Sequence, residues 1–178
     1  MVTPSSTCRI LAITLAFSIA ACPAATGAEK ANDAQPRLFT SNVGDWVLYK
    51  MPGGESFQKE TLIAVEEAGG EKTYVIRYEN IVDGKPVSSH DVRRTTTAIL
   101  ADIIPDDDPL MLSHSRGEIE TPAGRFAVES TTSDNQLGGT LTVHYSDKVP
   151  LTGLVRADSS FNEEPSFELV EYGYGDGK

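Results

Sequence analysis

Histidine, serine and acidic side chains are the groups with chemistry to offer in this chain, and their spacing limits what they can do. His114 lies between Ser113 and Ser115. A serine beside a histidine suggests nucleophilic catalysis, but no Gly-x-Ser-x-Gly elbow exists to expose a hydroxyl on a strained turn. A polar loop explains the triplet without any chemistry. The three histidines, His90, His114 and His144, are far apart and lack His-Glu-x-x-His spacing. They form no zinc motif. Asp106, Asp107 and Asp108 stand between Pro105 and Pro109. Three adjacent carboxylates can hold Ca²⁺ weakly through hard oxygen ligands, although EF-hand spacing and its closing Glu are absent. A solvated acidic loop is the plainer reading. Glu66-Glu67 and Glu163-Glu164 are sequence neighbours. On strands, neighbours point to opposite faces, so neither pair forms a carboxylate dyad by itself. No glycine-rich phosphate loop follows a strand and opens a helix. The expectation is a chain with no catalytic residues, no cofactor and no enzymatic activity, with a hydrolase as the distant alternative.

Cysteine chemistry is confined to the N-terminus. The two cysteines are Cys8 and Cys22. Arg9 supplies a positive start, and Ile10 to Ala21 form an apolar run too short to span a bilayer comfortably. This is the pattern of an export segment, which is not part of the mature fold. Two processing routes fit. Ile19-Ala20-Ala21-Cys22 resembles the bacterial lipobox, in which the cysteine is diacylated and becomes the new N-terminus. Alternatively, Thr26 and Ala28 put small residues where ordinary cleavage after Ala28 needs them. On either route the domain downstream has no disulfide and no thiol chemistry. The segment from Pro23 to Arg37 is rich in Ala, Pro, Asp, Glu and Lys with no apolar period, so it reads as a flexible tether. The expected organisation is an export segment over 1–28, a tether over 29–40 and a single β-rich domain over 41–175.

Composition narrows the partners. The formal charge is −11 over 178 residues, and the sequence pI is about 4.6. Arg9 is the only charge before Glu29, so the exported part is more acidic still. Such a surface repels phosphate backbones and disfavours docking on anionic lipid by charge alone. Nucleic acid is therefore not an expected partner, and the membrane is reached only through an N-terminal lipid anchor.

The elements that position the side chains are strands. Trp46 and Leu48 alternate with Val47 and Tyr49, and Trp46 is expected to be largely buried. Thr61, Ile63 and Val65 share one side of the next strand. Gly69-Gly70 and Asp83-Gly84 are hairpin signals. The polar run from Pro86 to Thr97 suits an edge strand. Residues 98–112 read either as a short helix, with Ala98, Leu100, Ala101 and Ile104 on one face and Pro105 as the stop, or as a strand and loop. A hairpin follows around Pro122-Ala123-Gly124. Leu141, Val143 and Tyr145 then face one way, and Thr140, Thr142, His144 and Ser146 the other. Short strands at regular spacing give an all-β or mainly β fold with one short helix, an antiparallel meander forming a curved sheet or half-barrel. In Val149-Pro150-Leu151-Thr152-Gly153, the proline withholds a ladder donor and the glycine permits a sharp bend. The segment is either a corner or the rim of a concave sheet that offers Leu151 and Leu154 to a ligand.

Thr121 to Phe126, His144 to Arg156 and the closing Phe167 to Gly173 resemble exported bacterial envelope proteins. That group carries a Pro-Ala-Gly-x-Phe hairpin and a Tyr-Ser-x-x-Val-Pro-x-x-Gly-Leu-Val segment, and is similar to the broader LolA/LolB-like class. His144 stands where that pattern has Trp. The resemblance implies a curved antiparallel sheet over a concavity that holds acyl chains, in an exported, periplasmic or membrane-anchored lipoprotein. The candidate ligand-binding residues are Val143, Tyr145, Leu151 and Leu154. The expected partner is a lipid or other apolar small molecule, or an envelope protein if the sheet fills its own interior.

Overall fold

The structure is a computed structural model that describes residues 37–101, 110–134 and 138–176. Cys22 and Asp106 to Asp108 lie outside the described residues. The described chain forms one antiparallel sheet of nine strands and a single short α-helix. The strands are β1 (Trp46–Lys50), β2 (Ser56–Ala68), β3 (Glu71–Val82), β4 (Lys85–Thr95), β5 (Met111–Thr121), β6 (Gly124–Asp134), β7 (Thr140–Tyr145), β8 (Leu154–Ser159) and β9 (Phe167–Gly173). The helix α1 spans Thr96–Ala101 and follows β4. The sheet is open, with the order β4-β3-β2-β1-β9-β8-β7-β6-β5. It consists of two meanders, β1 to β4 and β5 to β9, joined where β1 pairs with β9. The first and last strands of the domain therefore meet at its centre.

The turn signals are read directly by the backbone. Gly69 and Gly70 have φ of 63° and 83°, and Asp83 and Gly84 have 50° and 72°. Both are two-residue loops with two positive φ angles, the geometry whose twist matches paired strands. The polar strand β4 is one edge of the sheet, as its composition suggests, and β5 is the other. Both edges are exposed and charged. Cross-strand ion pairs join each to its neighbour: Arg77 to Asp91, and Arg116 to Glu129. Charged edges discourage pairing with other chains, while each exposed pair adds little stability.

The core differs from the expected face in four places. Val47 and Tyr49 are fully buried, whereas Trp46 is only half-buried. Its indole lies against the backbone of Gly173 and under the Lys59 ammonium, 4.8 Å from the ring centre. In β2 the buried positions are Glu60 and Leu62, not Thr61, Ile63 and Val65. A bulge at Ile63, between Leu62 and Ala64, shifts the register there, and such an extra residue displaces the simple period of two. Finally, Arg37–Thr40, expected in the tether, is a 3-10 turn. Its Leu38 is 5% exposed, and its Phe39 ring stacks on Tyr74. In α1 the buried side chain is Ile99, while Ala98 is exposed.

A Cβ on Gly173 would lie 2.4 Å from Trp46 Nε1. Gly173→Ala is therefore expected to push the indole outward and shift Trp46 emission to the red. An unchanged spectrum would contradict this placement.

Candidate functional site

The Val149 to Gly153 segment is built into the core. Val149 is 1% exposed and Leu151 is 0% exposed. Leu151 has φ of 61°, a left-handed conformation that costs a branched side chain about 1–2 kcal/mol. Three elements hold it there. The Leu151 N–H donates to Ser41 Oγ at 2.8 Å. Tyr49, on β1, donates its hydroxyl to the Leu154 carbonyl at 3.2 Å and lies 3.3 Å from Thr152 Oγ1. Tyr174 donates to the Lys148 carbonyl. Gly153, at φ of 74°, closes the turn by accepting the Ser146 N–H at 2.8 Å on its carbonyl. The segment is thus a corner whose leucine points inward. Of the other residues expected near a ligand, Val143 and Leu154 are half-buried and Tyr145 is exposed.

Two polar groupings are more unusual. The first centres on Glu60, which is 7% exposed. In the ladder it stands opposite Val47 on one side and Tyr78 on the other. Gln58 Nε2 donates to its Oε1 at 2.8 Å, and its Oε2 has no hydrogen-bond partner. Burial pushes its carboxyl above the ordinary carboxylate range, against the Gln58 hydrogen bond, which pulls it down. Burial pushes the neighbouring Tyr78 up to about 12, with Glu60 adding to the shift. The Tyr49 phenol is raised further by its complete burial and by Glu60.

The second grouping is a row across adjacent strands. Ser130, His144, Arg156, Glu168 and Lys50 occupy one continuous register line through β6, β7, β8, β9 and β1. Ser130 Oγ lies 2.7 Å from His144 Nδ1. His144 Nε2 lies 3.2 Å from Asp158 Oδ2. Arg156 donates to Asp158 at 2.9 Å, which raises the guanidinium above its ordinary value, and it lies 3.6 Å from Glu168. Serine, imidazole and carboxylate are therefore connected in series as in nucleophilic hydrolases, but through the opposite ring nitrogens, since here the serine meets Nδ1 and the aspartate Nε2. The surroundings differ from such a site. Ser130 is 9% exposed in mid-strand, paired on both sides. Its neighbouring N–H groups belong to the ladder, so none is poised for a developing oxyanion. At the far end of the row, Lys50, Met51, Glu164, Pro165 and Glu168 line a pocket of about 140 Å³. That is close to the volume that holds one benzene, and most of its lining is charged.

Sequence reasoning missed both groupings. Ser130, His144 and Asp158 come together only through strand register, which one-dimensional spacing does not reveal. Glu60 was hidden by the bulge at Ile63, because the apolar alternation beyond it points to the wrong face. Ser113, His114 and Ser115, which do adjoin in sequence, are exposed along the edge strand β5. Among the described residues, no group of His, Cys, Asp or Glu is arranged to hold a metal ion.

No protein-family model matches the chain, and no curated protein matches it. Among solved structures it is similar to a candidate exported protein with a YmcC-like fold from Bacteroides fragilis. The TM-score is 0.48 at 13% identity, over 75% of this chain and 97% of that one. It is also similar to a candidate lipoprotein from Parabacteroides distasonis, at a TM-score of 0.46 and 15% identity, over 73% of this chain and 95% of that one.

Proposed function

We propose that this chain is an exported, non-catalytic envelope protein, tethered through an acylated Cys22, that acts by binding a partner on the surface of its open sheet. The observation that carries the choice of binding mode is the corner. Leu151 and Val149 of the bend are buried in the core rather than presented on a surface. Tyr49, Leu62, Ile76, Val155 and Leu169 belong to the same buried cluster. The lipid-carrier reading needs the bend to offer its apolar side chains to a ligand. The interaction-module reading needs only an exposed sheet surface, which the solvent-facing side chains of β4 and β5 provide. Among the described residues, the strands on both sides of Ser130 engage the neighbouring backbone in the ladder, which favours the binding reading over a hydrolytic one.

Export and anchoring rest on the apolar run that ends at Cys22. In a Gram-negative host, the full chain should yield a membrane-associated form whose N-terminal peptide carries diacylated Cys22. Cys22→Ala should move the domain to the soluble fraction. A soluble wild-type product beginning at Glu29 would overturn the anchor.

A further inference from the structure

We propose that Glu60 keeps its proton in the folded domain to higher pH than an exposed glutamate does, and that its ionisation as the pH rises above the ordinary carboxylate range loosens the β1–β2–β3 junction. The geometry is that of a group with nowhere to put a charge. Glu60 is nine-tenths buried in the middle of β2, with strands paired on both sides. One carboxyl oxygen receives the Gln58 amide; the other faces no donor. A carboxylate oxygen left without a donor at such a position is costly, and the cheapest remedy is to keep its proton.

The groups facing Glu60 do little to change this. From β1 come Val47 and the Tyr49 phenol, whose hydroxyl is engaged with Leu154 and Thr152. From β3 comes Tyr78, whose ring stacks on His90 of β4 at 5.5 Å between centres. Arg94 of β4 acts on Tyr78 electrostatically, and Tyr145 of β7 acts on Tyr49. The phenols nearest Glu60 are neutral at physiological pH, and an ionised Glu60 would raise them further.

The direction follows from linkage. A carboxyl that holds its proton more tightly when folded binds more protons in the native state than in the unfolded one. Over the window between the unfolded and folded titrations, stability therefore falls as pH rises. Below the unfolded carboxylate range the contribution is fully present. Asp91, held low by Arg77, and Glu71, held low by Thr97, act in the opposite sense but in a more acidic window. The loss attributable to Glu60 thus lies above the ordinary carboxylate range. A chain exported beyond the cytoplasmic membrane meets the pH of its surroundings, so this junction would open more readily as that pH rises.

The test compares the wild-type mature domain with Glu60→Gln, which keeps shape and hydrogen bonding but cannot ionise. Amide exchange at Val47, Glu60 and Tyr78 is measured for both proteins at about pH 5 and about pH 8. Comparison at the same pH cancels intrinsic exchange. Wild-type protection relative to Glu60→Gln should fall on going to the higher pH, because only the wild-type side chain ionises over that interval. His90→Gln should leave that fall in place, separating Glu60 from the imidazole nearby. A constant ratio would overturn the proposal, as would loss of the fall in His90→Gln alone. If Glu60→Gln does not fold, the carboxyl resonance of Glu60 in the wild-type protein gives the answer. A titration midpoint above the ordinary carboxylate range supports the proposal, and one within that range refutes it.

Discussion

Leu151→Ala is expected to cost ~2–5 kcal/mol of folding stability, the usual range for emptying a leucine site in a core. The residue is fully buried, and the turn that carries it is fixed from the N-terminal segment, β1 and the C-terminal tail. Such a site has little freedom to collapse, which places the loss toward the upper end. The backbone adds a second expectation. At φ of 61° every L-residue is strained and glycine is not. Leu151→Gly should therefore be at least as stable as Leu151→Ala, the reverse of the usual order for these two replacements. Chemical denaturation of the three proteins measures both quantities. Losses within ±0.5 kcal/mol of wild type would mean that the corner is not packed, since surface substitutions behave that way.

Tyr49 ties the same corner to the centre of the sheet, and its two contributions can be separated. Its ring is completely buried and meets Phe167 edge-on at 6.0 Å. Tyr49→Phe keeps that contact and removes only the hydroxyl, leaving the Leu154 carbonyl and Thr152 hydroxyl without it. A buried acceptor deprived of its donor costs ~1–3 kcal/mol. Tyr49→Ala removes the ring as well and should cost ~3–5 kcal/mol. Equal losses for the two variants would contradict this division. A neutral Tyr49→Phe would show that water reaches the Leu154 carbonyl, and hence that the corner is not sealed.

How much of this was legible in the sequence depends on the physics involved. Hairpins governed by local backbone chemistry were legible: Asp83-Gly84 and Gly69-Gly70 demand positive φ, and the structure has it. So was the edge position of β4, because a run of Ser, His, Asp and Arg has little to bury. Faces were less legible. Both Trp46 and Val47 alternate correctly, and nothing local says which set meets the core. The larger aromatic suggested Trp46, but its indole lies over Gly173, a contact made by a strand far away in sequence. The bulge at Ile63 reversed the reading of β2 for a related reason, since an extra residue leaves no mark in the apolar pattern. The 3-10 turn at Arg37–Thr40 went unseen because four residues are too few to show a period. The polar row from Ser130 to Lys50 depends on register through five strands, each pairing fixed by the one before.

The most direct test of the account is occupancy of the interior by lipid. Burying an acyl chain of about eight carbons would gain roughly 6 kcal/mol at ~0.8 kcal/mol per CH₂, before association costs are subtracted. Such an affinity is visible to a fluorescent fatty-acid probe at high micromolar concentration. The measurement is a competitive titration of the folded, delipidated domain, run alongside Leu154→Arg. With Leu151 and Val149 filling the corner, the account predicts no saturable binding by either protein. Saturable binding by the wild type, weakened by Leu154→Arg while the domain stays folded, would contradict it and restore the carrier reading.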